Sequence, residues 1–271
     1  MMSVNEIIQR LRQVRCFLLD MDGTFYLGDR LLPGALEFIS LLRKRNIPFL
    51  FLTNNSSRQR SQYAEKIRNL GLADLQDDQV FTSGEATAIY MARNYPGARL
   101  FVVGTPALEN EFSAHGFILT AENPDAVVLG FDTTLTYEKI WRLCTLIRAG
   151  KLYIATHPDV NCPTEEGFMP DIGSIISLVE ASTSKRPDVI IGKPYPTMVA
   201  ALAEKTGLPV GALAMIGDRL YTDIALGRAG LMTILVLCGE THAEDLVSSP
   251  YKPDLVVEDL ADLIRRMSEK D

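Results

Sequence analysis

The sequence predicts an α/β protein of parallel sheets, with a second α/β domain inserted into the first. Three observations predict it. Short apolar runs alternate with amphipathic stretches along the whole chain, the pattern of strands joined by helical crossovers. At 271 residues the chain outgrows one ordinary core, so one large domain or two modest ones are expected. Apolar runs that end in polar clusters occur early (LLDMDGT, FLTNNSS) and late (AMIGDRLYTD), around a middle stretch without comparable strand ends.

Taken in order, strands are predicted over 16–19, 49–52, 80–82, 100–103, 126–129, 152–155, 189–191, 212–216, 233–236 and 255–257, each a short apolar run. Helices are predicted over 35–45, 58–70, 85–93, 137–149, 173–181, 196–206 and 223–229, where apolar residues recur at helical spacing. Ser56 or Ser57 is placed to cap the helix from Arg58. Trp141 begins an apolar stripe with Leu143, Cys144 and Ile147 that reads as core. The expected domains are a core over 1–82 and 187–271 and an insertion over 83–186 that covers the cleft.

Hydrophobic residues make up 47% and charged residues 23% of the chain, an ordinary globular composition. A net charge of −7 argues against a nucleic-acid polymer as partner, while one locally positive site still suits a small anion. The first residues lack the apolar centre of a secretory signal. No run approaches the ~18 apolar residues of a membrane span. A cytoplasmic protein is expected. Cys16, Cys144, Cys162 and Cys238 form no C-x-x-C pair. Cys16 and Cys238 read as core residues, and Cys162 sits in a turn-like NCP stretch. His115, His157 and His242 have no metal-ligand spacing, so surface or polar-core roles are expected.

Asp20 and Asp22 leave the first apolar run two positions apart, and Gly23 permits a bend that turns both toward one pocket. D-x-D-G-T arises by chance in a chain this long with a probability on the order of a few in a thousand. Its competing reading is an acidic turn whose side chains bond their own backbone. Thr53, Asn54 and Asn55 offer hydroxyl, amide and backbone donors that suit phosphate oxygens, but TNNSS is also a good loop and cap sequence. Lys193 could bring a point charge to a phosphate, though a lone loop lysine is ordinarily solvated. Asp218, at a strand end, is a candidate Mg²⁺ ligand. Asp223 either supports that ligand or caps the following helix.

These four elements, in this order, resemble the haloacid dehalogenase superfamily of phosphatases. DMDGT matches its first motif, Thr53 the second, Lys193 the third and GDRLYTD the fourth. The insertion lies between the second and third, as in branches with a C2-type cap. TNNSS, CPTEEG (162–167) and VIIGKP (189–194) look like the NagD or 4-nitrophenylphosphatase-like branch. In that branch an asparagine occupies the position of His157 in ATHPD. The resemblance implies a Rossmann-like, doubly wound core and a role for each matched residue. Asp20 would be the nucleophile that forms an aspartyl-phosphate, and Asp22 the general acid and then base. Thr53, the Asn54 backbone and Lys193 would hold the phosphoryl group. Mg²⁺ would bind Asp20, the Asp22 main-chain carbonyl and Asp218, with Asp223 assisting.

The implied activity is hydrolysis of small phosphomonoesters: nucleotides, sugar phosphates or aryl phosphates such as 4-nitrophenyl phosphate. The partner is then a small phosphorylated metabolite, and a homodimer is permitted. A phosphoaspartate signalling receiver shares an aspartate, Mg²⁺, a hydroxyl residue and a lysine. Receivers, however, are about half this length and have no second Asp placed for proton transfer. A catalytically silent phosphate-binding protein would have no need of Asp22.

Overall fold

In the computed structural model, which describes residues 4–164 and 167–268, the apolar runs pair into two parallel sheets. The six-stranded sheet has the order Leu255–Val257, Met232–Val236, Leu213–Gly217, Cys16–Leu19, Phe49–Thr53, Val80–Thr82. Cys16–Leu19 is flanked on both sides and wholly buried, which is why it reads as an unbroken apolar run. The helix Ala35–Lys44 buries Ala35, Phe38, Ile39 and Leu42, at i, i+3, i+4 and i+7. Phe38 meets Phe17 edge-on at 5.5 Å, and Phe25 meets Phe51 at 4.7 Å. Each such buried ring stabilises the fold by roughly 1.5–3 kcal/mol through loss of apolar surface from water.

The five-stranded sheet has the order Val189–Ile190, Leu152–Ala155, Ala126–Leu129, Arg99–Val103, Ile118–Leu119, and it forms the inserted cap domain. Two antiparallel ribbons complete the strands: Tyr26–Leu27 with Arg30–Leu31, and Asn161–Thr164 with Gly167–Pro170. The contacts divide the chain into two compact units. One holds the residues up to Thr53, Tyr63–Phe81 and those from Leu202 onward; the other holds Asn54–Gln62 and Thr82–Ala201. The second unit therefore reaches beyond the expected 83–186. Val189–Ile190 pairs in parallel with Leu152–Ala155, so backbone hydrogen bonds carry the chain past residue 187 within the cap sheet.

Several local expectations are corrected. The helix after TNNSS begins at Arg60, and Ser56 does not cap it. The Ser56 hydroxyl instead accepts from the Phe131 N–H at 2.9 Å and lies 3.1 Å from the Thr156 hydroxyl. Trp141 is 68% exposed. Its helix, Tyr137–Arg148, buries Leu143, Cys144, Leu146 and Ile147, and a residue two positions before Leu143 points roughly 200° away from it. Cys162 lies in a strand opposite Met169 rather than in a turn. The 223–229 segment is a 3₁₀ helix, Ile224–Ala229. The α-helices Val4–Gln13, Pro106–Ala114, Asp245–Ser248 and Leu260–Ser268 stand beyond those predicted. Glu165 and Glu166 of CPTEEG lie outside the described residues. No helix among the described residues is long and apolar enough to cross a membrane.

Candidate active site

Parallel register brings the distant acidic motifs together. Leu19 pairs with Ile216, and the Asp20 N–H donates to the Ile216 carbonyl at 2.9 Å. Asp20 and Asp218 thus leave adjacent strands at the same end of the sheet, where ligands of such sheets bind. Carboxylate oxygens of Asp20, Asp218 and Asp223 all lie within 4.8 Å of one another. Asp218 and Asp223 are buried, and Asp20 is partly so. Thr53 ends the neighbouring strand on the other side of Asp20.

DMDGT turns because the N–H groups of Thr24, Phe25 and Tyr26 all reach the Met21 carbonyl, at 3.3, 2.9 and 3.1 Å. Gly23 sits at φ +83°, a conformation that L side chains rarely adopt. A Cβ on Gly23 would lie 2.2 Å from Asp218 Oδ2, and one on Gly239 would do the same. The Asp218 carboxylate is therefore seated between two bare backbones, and the Glu240 N–H donates to it at 2.8 Å. Gly217 makes the same allowance for Asp223, whose Cβ would be 2.3 Å away. Asp223 stands at the helix N-cap position but makes no side-chain cap. Its carboxylate accepts from the Arg219 N–H at 3.2 Å.

Three carboxylates this close repel one another unless a cation or protons intervene. Oxygen donors in such a cluster suit a hard divalent cation, so the residues fit Mg²⁺. Arg219 also contributes charge. Burial works against its ionisation, but Asp20, Asp218 and Glu240 more than offset that and raise its pKa. Its Nε lies 2.8 Å from Glu240, an ion pair without hydrogen-bond alignment, and Tyr221 donates to the same carboxylate at 2.8 Å.

Burial raises the Asp22 pKa, partly opposed by the charges of Lys66 and Arg219 and by a hydrogen bond from Tyr26. Asp22 is nonetheless exposed to solvent, which limits how far that rise goes. Tyr26 is buried, with the Lys66 ammonium 4.2 Å from its ring centre. Glu240 and Lys66 carried no spacing signal, whereas Arg219 lies inside GDRLYTD and Tyr26 two residues after DMDGT, so their places in the chain put them beside the motifs.

Asn54 and Lys193, both buried, belong to the second unit. There Asn54 Nδ2 donates to the Lys193 carbonyl at 2.9 Å, and the Lys193 N–H donates to Asn54 Oδ1 at 2.7 Å. The strand Leu152–Ala155 ends in a polar cluster after all, contrary to the reading of the middle segment. His157 is fully buried, with Nε2 3.0 Å from Asp171 and Nδ1 3.0 Å from the Thr156 hydroxyl. Burial opposes a charge on His157. The hydrogen bond and charge of Asp171, with the charge of Asp159, nevertheless hold its pKa above the ordinary value, while Lys193 acts the other way.

A histidine whose pKa rises on folding stabilises the fold most below its unfolded value, about 6.5. That contribution is lost as pH climbs through the folded value. His157→Gln is expected to cost about 3 kcal/mol at low pH, since it removes the cation paired with the buried Asp171 carboxylate. The gap to the parent should narrow as pH rises, measured by urea unfolding at several pH values. A gap that widens with pH would contradict a charged imidazole.

The chain is similar to known proteins in both sequence and structure. Residues 17–118 match the model of the haloacid dehalogenase-like hydrolases, and 190–263 match a second HAD hydrolase-like model. The structure is similar to 4-nitrophenylphosphatase from Thermotoga maritima (52% identity, TM-score 0.91, 94% of this chain and 98% of that one). It is also similar to NagD from Escherichia coli K-12 (31% identity, TM-score 0.85, 92% and 98%). The sequence is 36% identical to the acid sugar phosphatase of Staphylococcus saprophyticus over 96% of this chain and all of that protein. With two parallel sheets, an acidic cluster at the strand ends and relatives aligned almost end to end, the chain belongs to the haloacid dehalogenase-like hydrolases, as a phosphatase of the NagD and 4-nitrophenylphosphatase branch.

Proposed function

We propose that the protein hydrolyses small phosphomonoesters by moving the phosphoryl group onto Asp20 and then onto water. The observation that carries this reading is the meeting of Asp20 and Asp218, at the ends of adjacent parallel strands, with Asp223 from the start of the following 3₁₀ helix. Mg²⁺ would be held by Asp20, the Asp22 main-chain carbonyl and Asp218, with Asp223 assisting, and would supply positive charge against the phosphate dianion. The Asp20 carboxylate attacks phosphorus and splits the displacement into two steps. Asp22 gives a proton to the leaving oxygen and later takes one from the attacking water. A raised Asp22 pKa favours the protonated form that the first step needs. Thr53, the Asn54 backbone and Lys193 hold the phosphoryl oxygens as charge spreads over them.

The substrate class proposed is sugar phosphates, nucleotides or aryl phosphates. The acid sugar phosphatase and 4-nitrophenylphosphatase relatives support its breadth. The test is a panel of phosphorylated metabolites ranked by kcat/KM with and without Mg²⁺. Chelation is expected to remove turnover and added Mg²⁺ to restore it; full activity in excess chelator would defeat the metal assignment.

Asp22→Asn keeps size and hydrogen bonding but cannot transfer the proton. Its kcat should fall by roughly 10²–10⁴-fold, with KM for 4-nitrophenyl phosphate changed only a few-fold. A variant that loses binding but keeps kcat would assign Asp22 a different role.

A further inference from the structure

We propose that the Asn54 side chain, braced by Asp159, is a positioning element for Lys193. The inference rests on the phosphatase reading above and gives the Asn54 amide a partner in Lys193 in place of the phosphate oxygens expected from the sequence. Asn54 exchanges two hydrogen bonds with the N–H and C=O of Lys193, as a neighbouring strand would. Its remaining Nδ2 hydrogen faces the Asp159 carboxylate, whose oxygens lie at 3.1 and 3.2 Å. Only the amide nitrogen can face both a carbonyl and a carboxylate, so these partners fix which way the amide points.

The surroundings leave little slack. A Cβ on Gly192 would lie 2.7 Å from Asn54 Oδ1 and 2.6 Å from His157 Cβ. The Gly192 N–H donates to the Thr156 carbonyl at 2.7 Å. The Ser83 hydroxyl donates to the Asn54 carbonyl. Asp159 sits on a loop that is closed on both sides. Its carbonyl accepts from the Gly173 N–H at 2.7 Å, and two residues before it His157 is tied to Asp171. A lysine carries a point charge on a flexible four-carbon stem. Where its ammonium can rest depends first on where its backbone is anchored, and an error of 1 Å at a phosphoryl group is costly. Asn54 supplies that anchor, and Asp159 keeps Asn54 turned the right way.

The experiment compares the parent with Asp159→Ala, Asp159→Asn and Asn54→Ser. It measures kcat and KM for 4-nitrophenyl phosphate, the inhibition constant of inorganic phosphate, and folding by circular dichroism and Tm. Asp159→Ala should raise KM and the phosphate inhibition constant about tenfold, the scale at which groups that orient a ligand act. Asp159→Asn, whose amide oxygen can still accept from Asn54, should remain within about threefold of the parent. Asn54→Ser keeps its main-chain N–H but cannot reach the Lys193 peptide. It should match Asp159→Ala, and it tests the idea independently if that variant folds poorly. Folded Asp159→Ala or Asn54→Ser protein with parental phosphate inhibition would overturn the proposal, as would an Asp159→Asn variant as impaired as Asp159→Ala. Asp20→Asn is measured alongside. If it retains turnover, the phosphatase reading itself falls; if it is inactive while Asp159→Ala is parental, only the positioning role falls.

Discussion

Asp20→Asn protein is expected to lose phosphomonoester turnover by at least about 10³-fold, equivalent to more than roughly 4 kcal/mol in the barrier. Asn is nearly the same size, so the strand Cys16–Leu19, buried on both faces, should keep its register with Leu213–Gly217 and the fold should survive. What disappears is the charged oxygen that would attack phosphorus, together with one carboxylate of the acidic cluster. Acid-quenched parent protein should carry hydroxylamine-labile phosphate during turnover of a radiolabelled substrate, and the variant none. The parental rate in folded Asp20→Asn protein would rule out a covalent route through this residue.

Gly239→Ala is expected to damage the site nearly as severely, without replacing any group that does chemistry. Its new methyl would fall 2.2 Å from Asp218 Oδ2, 2.4 Å from Asp218 Cβ and 2.5 Å from the Gly23 carbonyl. None of these is the loose end of a long side chain, so either Asp218 or the loop must shift. A shift of the loop would also break the hydrogen bond from the Glu240 N–H to Asp218. Mg²⁺ affinity should fall roughly 10–100-fold, as when the partners that orient a metal ligand are lost, and overpacking should cost about 1–3 kcal/mol. Calorimetric Mg²⁺ titration and Tm would read both effects. Gly211→Ala is the control, because nothing lies within 4 Å of its added Cβ. Equal Mg²⁺ affinity in the two variants would show that Asp218 does not depend on this close approach.

Much of the fold was legible because its determinants are short-range. A four-residue run such as Cys16–Leu19 must be buried on both faces, and Phe38, Ile39 and Leu42 must share one side of their helix. The helix Pro106–Ala114 was missed because its buried residues are few, Leu108 and Phe112. Trp141 was misread for the opposite reason. Its apolar side chain joined a plausible stripe by spacing, but the face is decided by Leu143, Cys144, Leu146 and Ile147 together. The candidate site divides in the same way. Asp20 and Asp218, which meet in the acidic cluster, could be picked out because each follows an apolar run and carries a carboxylate. Nothing local to Asn54 announced that its side chain would pair with Lys193, nor did Asp159 or Asp171 announce a buried histidine between them.

By itself, then, the sequence determined the strands of the six-stranded sheet, most of the longer helices, the order of the motifs and the kinds of group available for phosphoryl chemistry. Tertiary structure alone decided that Asp20 and Asp218 meet, that Gly23 and Gly239 bare their backbones for one carboxylate, and that the cap sheet takes in Val189–Ile190. The physical reason is range. Periodicity and propensity act over a few residues. The pairing of Leu19 with Ile216 closes a loop of nearly two hundred residues, and its register depends on all the packing in between.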